Sequence, residues 1–364
     1  MGKKVLQIDE NSFYGGPEAG SHKISLPSGD YLIHDPSPIV FYARGPLADL
    51  LLDLELTEYI DFMAIEHQYI WPSQQVLIAL PFSKEQVMLE PALTLLEKRK
   101  LTKLLGLAAA LALNPENEIS VTLADLLTRE QVPPESRVFQ LIAYGACRCS
   151  SLQEINQISL KSTVKVLESL RASINHLTVS SPFVIPLWGS SELSQAACRK
   201  AAVSGCIQIL GKSFKDVQDA QINFKNKIEK QNLVPCDQIR KTFLLNRPIL
   251  GINGTALITV PPSSDLHPQT DASAVNILQL TSDSNCCPSG TWLVYLWSLT
   301  AVDTEEIETA LIDPLTKIIW SNTKQYETLP HYDSETKIPF QPLLPASFEA
   351  EFDFVESFKS FNKL

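Results

Sequence analysis

The sequence predicts a mixed α/β fold (α+β) with an inserted helical subdomain, and three patterns along the chain support this prediction. A short apolar run that ends in an acid, at residues 5–9, indicates a strand near the first residue. Residues 90–176 then show helical periodicity, with apolar side chains three or four positions apart. Strand patterns return from residue 206, so the helical stretch interrupts an α/β domain.

The stretch before the helical region mixes strand and helix. The predicted strand at residues 5–8 leads into a loop, residues 9–16, that is rich in polar residues and glycine. A helical pattern follows at residues 47–56, and an extended pattern at residues 76–79.

The helical region is predicted to contain three long helices. Leucines at helical spacing from Leu93 to Leu105 mark the first helix, and Asn114-Pro115 ends it because proline cannot continue a helix. Pro134 opens the second helix at its first turn, a position that proline tolerates. The third helix has apolar residues from Ile158 to Ile174.

The last part of the chain returns to alternating elements. Residues 183–188 are extended and lead into a helix that Ser190 or Ser191 can cap. This helix runs to Ser204, where Gly205 provides a C-terminal stop. The further predicted elements are strands at 206–210, 256–260, 275–280 and 291–299, a helix at 305–319, and a last helix with Phe354, Phe358 and Phe361 on one face.

These elements suggest three units. Residues 1–90 and 178–345 are assigned to the mixed α/β domain, residues 91–177 to the helical subdomain, and residues 346–364 to a C-terminal helix. We find no internal repeat.

Composition indicates a globular protein and narrows the classes of partner. The 364 residues are 45% hydrophobic and carry a formal net charge of -11. A chain of this size can bury one large core or two moderate ones. The negative charge argues against binding along a phosphate backbone, so we expect no nucleic-acid partner.

Cysteine usage and hydropathy indicate a cytoplasmic location. There are seven cysteines and no CxxC pair, which favours reduced thiols in the cytosol. No uninterrupted apolar stretch is long enough to span a membrane, and the N-terminus has no signal-peptide core.

The common catalytic and metal-binding motifs do not occur. The six histidines form no HxxxH or HExxH motif, and there is no GxSxG, so no catalytic residue and no metal site are predicted. Gly211-Lys212-Ser213 resembles the end of a P-loop, but five residues separate Gly205 from Gly211 where that motif has four. We interpret this segment as a strand followed by a turn.

The acid at the end of the first predicted strand, Asp9, is a candidate residue of a dinucleotide-binding site. Asp9 occupies the position where such folds hold a ribose hydroxyl, after their second strand. The glycine-rich turn that should precede it by about 20 residues does not occur. We therefore predict no cofactor, and a flavin-dependent oxidoreductase remains an alternative from another functional class.

The helix after Trp188 has the most specific surface pattern. Glu192, Gln195 and Arg199 are spaced i, i+3 and i+7, so they share one face. Glu192 lies in the first turn, where the helix dipole favours an anion, and Arg199 offers a planar set of donors. This face is either solvated surface or a protein-docking face.

Several segments of the chain, in order, resemble one family, the Rab escort proteins and Rab GDP-dissociation inhibitors. The most specific match begins at residues 181–189 (SPFVIPLWG) and continues with Glu192, Gln195, Arg199 and Gly205. Further matching segments are residues 2–16 (GKKVLQIDENSFYGG), residues 41–62, the EKR at residues 97–99, and residues 290–294 (GTWLV).

The resemblance implies a flavin-monooxygenase-like, FAD/NAD(P)-binding-type fold that is used for protein binding. It also implies an N-terminally truncated domain, because the family's first strand, GxG turn and first helix, roughly 30 residues, would precede residue 1. Ser190-Ser191 and Ser194 depart from the family pattern.

Site residues follow from the same resemblance. Tyr14, Glu192, Gln195 and Arg199 match positions that contact the Rab GTPase. The block at residues 41–62 would grip the Rab C-terminal tail through Arg44, Leu47, Leu51, Tyr59 and Phe62.

The function that the resemblance implies is non-enzymatic. An escort protein would bind Rab in the GDP form, present it to Rab geranylgeranyl transferase, shelter the geranylgeranyl lipid in the helical subdomain and contact membranes transiently during vesicle transport. Segments 255–260 and 290–300 and the run at 348–361 look closer to escort proteins. A dissociation inhibitor that extracts prenylated Rab is the alternative within the family.

Overall fold

The computed structural model describes residues 5–14, 21–26, 29–34, 38–112, 121–174, 181–212 and 232–331, and these residues form a mixed α/β fold. The strands are β1 (Leu6–Asp9), β2 (Ser21–Leu26), β3 (Gly29–His34), β4 (Phe41–Tyr42), β5 (Phe62–Ala64), β6 (His67–Ser73), β7 (Val76–Ala79), β8 (Phe183–Pro186), β9 (Ile207–Leu210), β10 (Asn232–Leu245), β11 (Ala256–Val260), β12 (Val275–Thr281), β13 (Trp292–Ser298) and β14 (Ile318–His331). The α-helices are α1 (Pro46–Asp53), α2 (Lys84–Leu89), α3 (Leu95–Ala112), α4 (Leu123–Arg129), α5 (Arg137–Gln140), α6 (Leu152–Gln157), α7 (Leu160–Ser173), α8 (Ser191–Val203) and α9 (Glu305–Leu311).

The largest sheet has seven strands in the order β14-β10-β13-β12-β11-β6-β7. Its neighbouring strands are antiparallel except for β11 and β6, which are parallel. Strands β11, β12 and β13 are almost fully buried, because apolar layers cover both faces of the sheet.

Side chains on β12 alternate between these two layers, as the two-residue period of a strand requires. Leu278 and Leu280 join the core cluster that the helical region shares. Val275 and Ile277 join a second cluster, which contains residues of α9. The large sheet therefore lies between the helical region and α9.

The helical region, from α3 to α7, packs on the sheet through a buried π-helical turn at Leu141–Ala146. A Cβ placed on Gly145 would lie 2.7 Å from the Leu80 Cδ1 and 3.3 Å from the Ile70 Cδ1. Only glycine fits here without displacing the sheet side chains, so this turn sets the distance between the two layers.

Two smaller sheets lie beside α8. The order β4-β8-β5 forms an antiparallel three-stranded sheet with β8 in its centre. Strands β1 and β9 pair in parallel, with Leu6 opposite Ile207 and Asp9 opposite Leu210. Because α8 connects β8 to β9, it is anchored to both sheets.

Most predicted elements are confirmed within a few residues. The strand at 256–260 has the predicted bounds, and the strands at 275–280 and 291–299 appear as β12 and β13. The helix at 47–56 appears as α1, which ends at Asp53 and is followed by a 3-10 turn, Leu56–Glu58.

Several predicted helix boundaries were wrong. The helix predicted over 305–319 ends at Leu311, because Pro314 follows, and Ile318 already begins β14. Pro134 lies in a turn, and the helix begins at Arg137 after the cap Ser136. The third helix, predicted from Ile158 to Ile174, is confirmed as α7, whereas α6 before it was not predicted.

Parts of the prediction fall outside the described residues or were missed. The C-terminal helix at 346–364, the stop at Asn114-Pro115 and the Gly15-Gly16 turn lie outside them. The hairpin of β2 and β3 and the long strands β10 and β14 were not predicted.

Two general features of the described part bear on the sequence analysis. Cys147, Cys149, Cys198, Cys206, Cys286 and Cys287 are free thiols. None of the described helices combines the length and the apolar character that crossing a bilayer requires.

Candidate binding site around helix α8

Helix α8 separates a buried face from an exposed face. Leu193 and Ala196 pack into a cluster with residues of α1, β4, β5 and β8, which we call the α8 cluster. Gln195 and Arg199 are exposed and Glu192 is half-buried, and we call these three residues the α8 face. The predicted sharing of one face is confirmed, because the i, i+3, i+7 spacing holds through α8.

The ends of α8 are fixed by backbone geometry. Gly205 has φ +92, and its amide donates to the Ala202 carbonyl, so glycine ends the helix as predicted. At the start, Ser190 is the capping residue but its side chain does not cap the helix. The Ser190 hydroxyl instead accepts a hydrogen bond from the Ile39 amide at 2.7 Å, which ties α8 to the segment before β4.

Arg199 is held over an aromatic ring from a distant part of the chain. Its guanidinium carbon lies 5.0 Å from the centroid of the Tyr59 ring, within the range of a cation–π contact. Beside it, Lys200 forms an ion pair with Glu55. The ion pair raises the pKa of Lys200 and lowers the pKa of Glu55.

Glu192 is partly shielded from solvent at the start of α8. Burial raises the pKa of its carboxyl above the ordinary value. Gln195 donates a hydrogen bond from Nε2 to the Glu192 Oε1 at 3.0 Å, which orients the carboxyl group. The α8 face thus presents an oriented acidic side chain, Glu192, and an oriented basic side chain, Arg199, about two helical turns apart.

Tyr14 reaches α8 through one intermediate side chain. The Tyr14 hydroxyl donates to the Gln208 Oε1 at 2.9 Å, and the Gln208 Nε2 donates to the Cys198 carbonyl at 2.8 Å. Gln208 lies on β9, next to β1, so the loop after β1 is tied to the helix. Two hydrogen bonds through Gln208 therefore connect Tyr14 to helix α8.

The five residues predicted to grip a Rab tail lie in or beside the α8 cluster. Leu47, Leu51, Tyr59 and Phe62 belong to it, and Phe62 packs edge-on against Phe41 at 5.7 Å between ring centroids. Arg44 is exposed, and its backbone is held by the Ser173 hydroxyl of α7. Leu51 is only 4% exposed, so it supports this surface from below.

Three features of the site were not found from the sequence. The cation–π contact, the Glu55–Lys200 ion pair and the Gln208 bridge all join segments that are far apart in the chain. No local pattern encodes such contacts. Trp188, which belongs to the motif at residues 181–189, is 52% exposed just before α8, and this exposure could not be predicted from the sequence.

The residues around Asp9 do not fit a dinucleotide. The Asp9 Oδ1 accepts hydrogen bonds from the backbone amide and the side-chain amide of Asn11, each at 2.9 Å, so it closes its own loop. Across residues 5–14 and the other described ranges, no strand leads through a glycine-rich turn into a helix, so no pyrophosphate cradle is formed there. We derive no flavin chemistry for this chain.

Comparisons with known proteins agree on one family. Residues 1–318 match the family described as GDP dissociation inhibitor. Rab escort protein 1 of Arabidopsis thaliana is 26% identical over 344 residues, which cover 78% of this chain and 60% of that protein. Guanosine nucleotide diphosphate dissociation inhibitor 2 of Arabidopsis thaliana is 21% identical and covers 90% of this chain and 82% of its own length. This chain therefore spans less than two thirds of the escort protein it matches.

Solved structures confirm the fold class. The crystal structure of a Rab GDI from Plasmodium falciparum superposes with a TM-score of 0.75 at 16% identity, covering 99% of this chain and 92% of that one. An oxidoreductase from Methanosarcina mazei superposes with a TM-score of 0.59 at 12% identity, covering 99% of this chain and 94% of that one. The predicted flavin-enzyme-like fold is thus confirmed.

Proposed function

The chain belongs to the GDP dissociation inhibitor family, and we propose that it is a Rab escort protein. In this role it binds Rab GTPases in the GDP form and presents them to a separate geranylgeranyl transferase. It carries out no bond chemistry itself. The observation that carries the proposal is the contact of Arg199 with Tyr59, because it joins the two predicted contact surfaces into one.

The α8 face has the properties of a protein-docking surface. Arg199 is exposed but oriented by the Tyr59 ring, and Glu192 is oriented by Gln195. Side chains that are ordered before binding lose less entropy when a partner arrives. Glu192 and Arg199 would pair with polar groups of the Rab switch regions, and Tyr14 would contribute from the adjacent loop.

We expect selectivity for the GDP form because the switch segments of a GTPase differ in conformation between its two nucleotide states. The switch segments of a GTPase are ordered by the γ-phosphate and released after hydrolysis. A fixed surface such as the α8 face suits the released, GDP-state conformation, which can adapt to it. The ordered GTP-state conformation would fit less well.

The residues beside α8 suit the Rab tail. Leu47, Tyr59 and Phe62 are partly buried in the α8 cluster, so they offer apolar surface to an extended segment. Arg44 adds a positive charge at the edge of this surface. Because the backbone of Arg44 is bonded to Ser173 of α7, a tail bound here would pass close to the helical region.

The lipid would be sheltered in the helical region. Each buried CH₂ group contributes about 0.8 kcal/mol, so a geranylgeranyl chain needs an apolar environment. Helices α3 to α7 contribute much of the largest apolar cluster of the described residues, which they share with the large sheet. We place the lipid there, and with it transient contact with membranes during delivery.

Titration of a purified Rab in its two nucleotide forms tests the binding surface. We expect the GDP form to bind at least about tenfold more tightly than the GTP form, a difference of about 1.4 kcal/mol. Circular dichroism of this chain is the control for folding. Equal affinities for the two forms would overturn the proposed mode of binding.

The family alternative is a dissociation inhibitor, which the match to the Arabidopsis inhibitor over 90% of this chain favours. An escort protein holds unprenylated Rab through protein contacts alone, whereas an inhibitor gains much of its affinity from the lipid. We expect geranylgeranyl transfer onto Rab to depend on added protein. A folded protein that binds prenylated Rab and supports no transfer would be an inhibitor.

A further inference from the structure

Trp188 is one of the large apolar side chains that the fold leaves exposed. Its relative exposure is 52%, whereas Trp71 and Trp297 are each 1% exposed. A tryptophan loses a large favourable burial term when its ring lies in water. Tryptophan is also the residue type most enriched among the energetic anchors of protein interfaces.

The backbone at Trp188 is strained. Trp188 has φ +66 and Gly189 has φ +93, so two successive residues adopt left-handed conformations. Glycine does so freely, but a bulky side chain pays a steric penalty. Strain of this kind persists only where surrounding structure enforces it, and it is concentrated at functional sites.

Hydrogen bonds from two separate segments hold this turn in place. The Trp188 amide donates to the Ser284 carbonyl at 2.9 Å, and Ser284 is fully buried in the turn after β12. The preceding residue, Leu187, donates from its amide to the Asp61 carbonyl at 2.9 Å. The indole is therefore presented from a fixed backbone rather than from a loose loop.

The turn places Trp188 at the same end of α8 as Glu192. The Gly189 carbonyl accepts a hydrogen bond from the Glu192 amide at 3.2 Å, so the tryptophan immediately precedes the first helical turn. Stable interfaces combine an apolar anchor with polar contacts around it. The α8 face itself has only polar and charged members.

We propose that Trp188 is the apolar anchor of the α8 face and inserts its indole against an apolar patch on the bound GTPase. This inference rests on the proposed function and adds one specific contact to it. The left-handed backbone then serves to aim the ring at the partner.

The variant Trp188→Gly separates the effect of Trp188 on stability from its effect on Rab binding. Glycine adopts φ +66 without strain, so the melting temperature should stay the same or rise slightly. Affinity for a GDP-loaded Rab should fall about 10- to 30-fold, the loss typical of a tryptophan anchor. Trp188→Phe should retain most of the affinity because it keeps an aromatic ring.

The matched control is Leu315→Ala, which removes an apolar side chain of 70% exposure from the loop before β14. It should change neither affinity nor melting temperature. A Trp188→Gly variant that binds Rab normally, or that loses both stability and binding while Trp188→Phe fails to restore them, overturns the anchor role. If Trp188→Gly binds normally while Arg199→Ala does not, the proposed function stands, and a wild-type chain that binds no Rab overturns both.

Discussion

The guanidinium of Arg199 lies over the ring of Tyr59, with 5.0 Å between the guanidinium carbon and the ring centroid. Arg199 is on α8, and Tyr59 follows the short 3-10 turn after α1. Because the Glu55–Lys200 ion pair lies next to this contact, two interactions connect the same two segments. Helix α8 and the segment that follows α1 therefore form one surface.

Arg199→Ala should weaken the binding of GDP-loaded Rab by about 1–3 kcal/mol, the range of an interface anchor. Tyr59→Phe should change affinity little, since a phenyl ring still orients the guanidinium, whereas Tyr59→Leu should approach the loss of Arg199→Ala. Isothermal titration gives the affinities. Arg247→Ala, at an exposed arginine after β10, is the control. Unchanged binding by Arg199→Ala would make this contact a purely structural one.

Glu192 should make stability depend on pH. Because burial raises its pKa in the folded chain, the folded state holds the proton more tightly than the unfolded state does. The contribution to stability is fully present below the ordinary pKa and is lost as the pH rises through the raised value. Glu192→Gln should therefore lose less stability than the wild type between pH 4 and pH 7, as urea denaturation at several pH values would measure.

The control for this experiment is Glu135→Gln, which alters an exposed glutamate before α5. It should follow the wild-type pH dependence. Identical curves for the wild type and Glu192→Gln would mean that the environment of Glu192 does not favour its neutral form.

Gln208 should couple Tyr14 to α8. Tyr14→Phe removes the hydrogen bond from Tyr14 to Gln208, and Gln208→Leu removes both hydrogen bonds of the bridge. Each variant should lower Rab affinity by about 0.5–1.5 kcal/mol. The double variant should lose little more than either single variant, because both substitutions break one connection. A double-mutant cycle by titration measures this coupling. Additive losses would show that Tyr14 acts independently of Gln208.

Two glycine substitutions should have opposite effects on folding stability. Gly145→Ala should destabilise the protein by about 1–3 kcal/mol, because the new methyl group would overlap the Leu80 side chain against the sheet. Gly106→Ala, on α3 in open space, should stabilise by about 0.5–1 kcal/mol because alanine is the better helix former. Urea denaturation compares them. If Gly145→Ala is neutral, the contact between helices and sheet is looser than its geometry indicates.

The sequence by itself determined the elements whose signals are local. The strand Ala256–Val260 was predicted with its observed bounds, because a run of five residues rich in β-branched side chains favours a buried strand over a helix. The stop of α8 at Gly205 and the common face of Glu192, Gln195 and Arg199 follow from glycine's backbone freedom and from the helical period.

The tertiary structure decided everything that depends on contacts between distant segments. Leu51 has the same helical pattern as its neighbours, yet it is buried because it packs into the α8 cluster with residues from distant segments. The segment at 305–319 has a helical period throughout, but Ile318 pairs with Leu245 of β10. The backbone that presents the exposed Trp188 is held by hydrogen bonds from Trp188 to Ser284 and from Leu187 to Asp61, which are far away in the sequence. Local periodicity encodes secondary structure, but the position of a side chain at a surface or in a core is set by which segments pack against it.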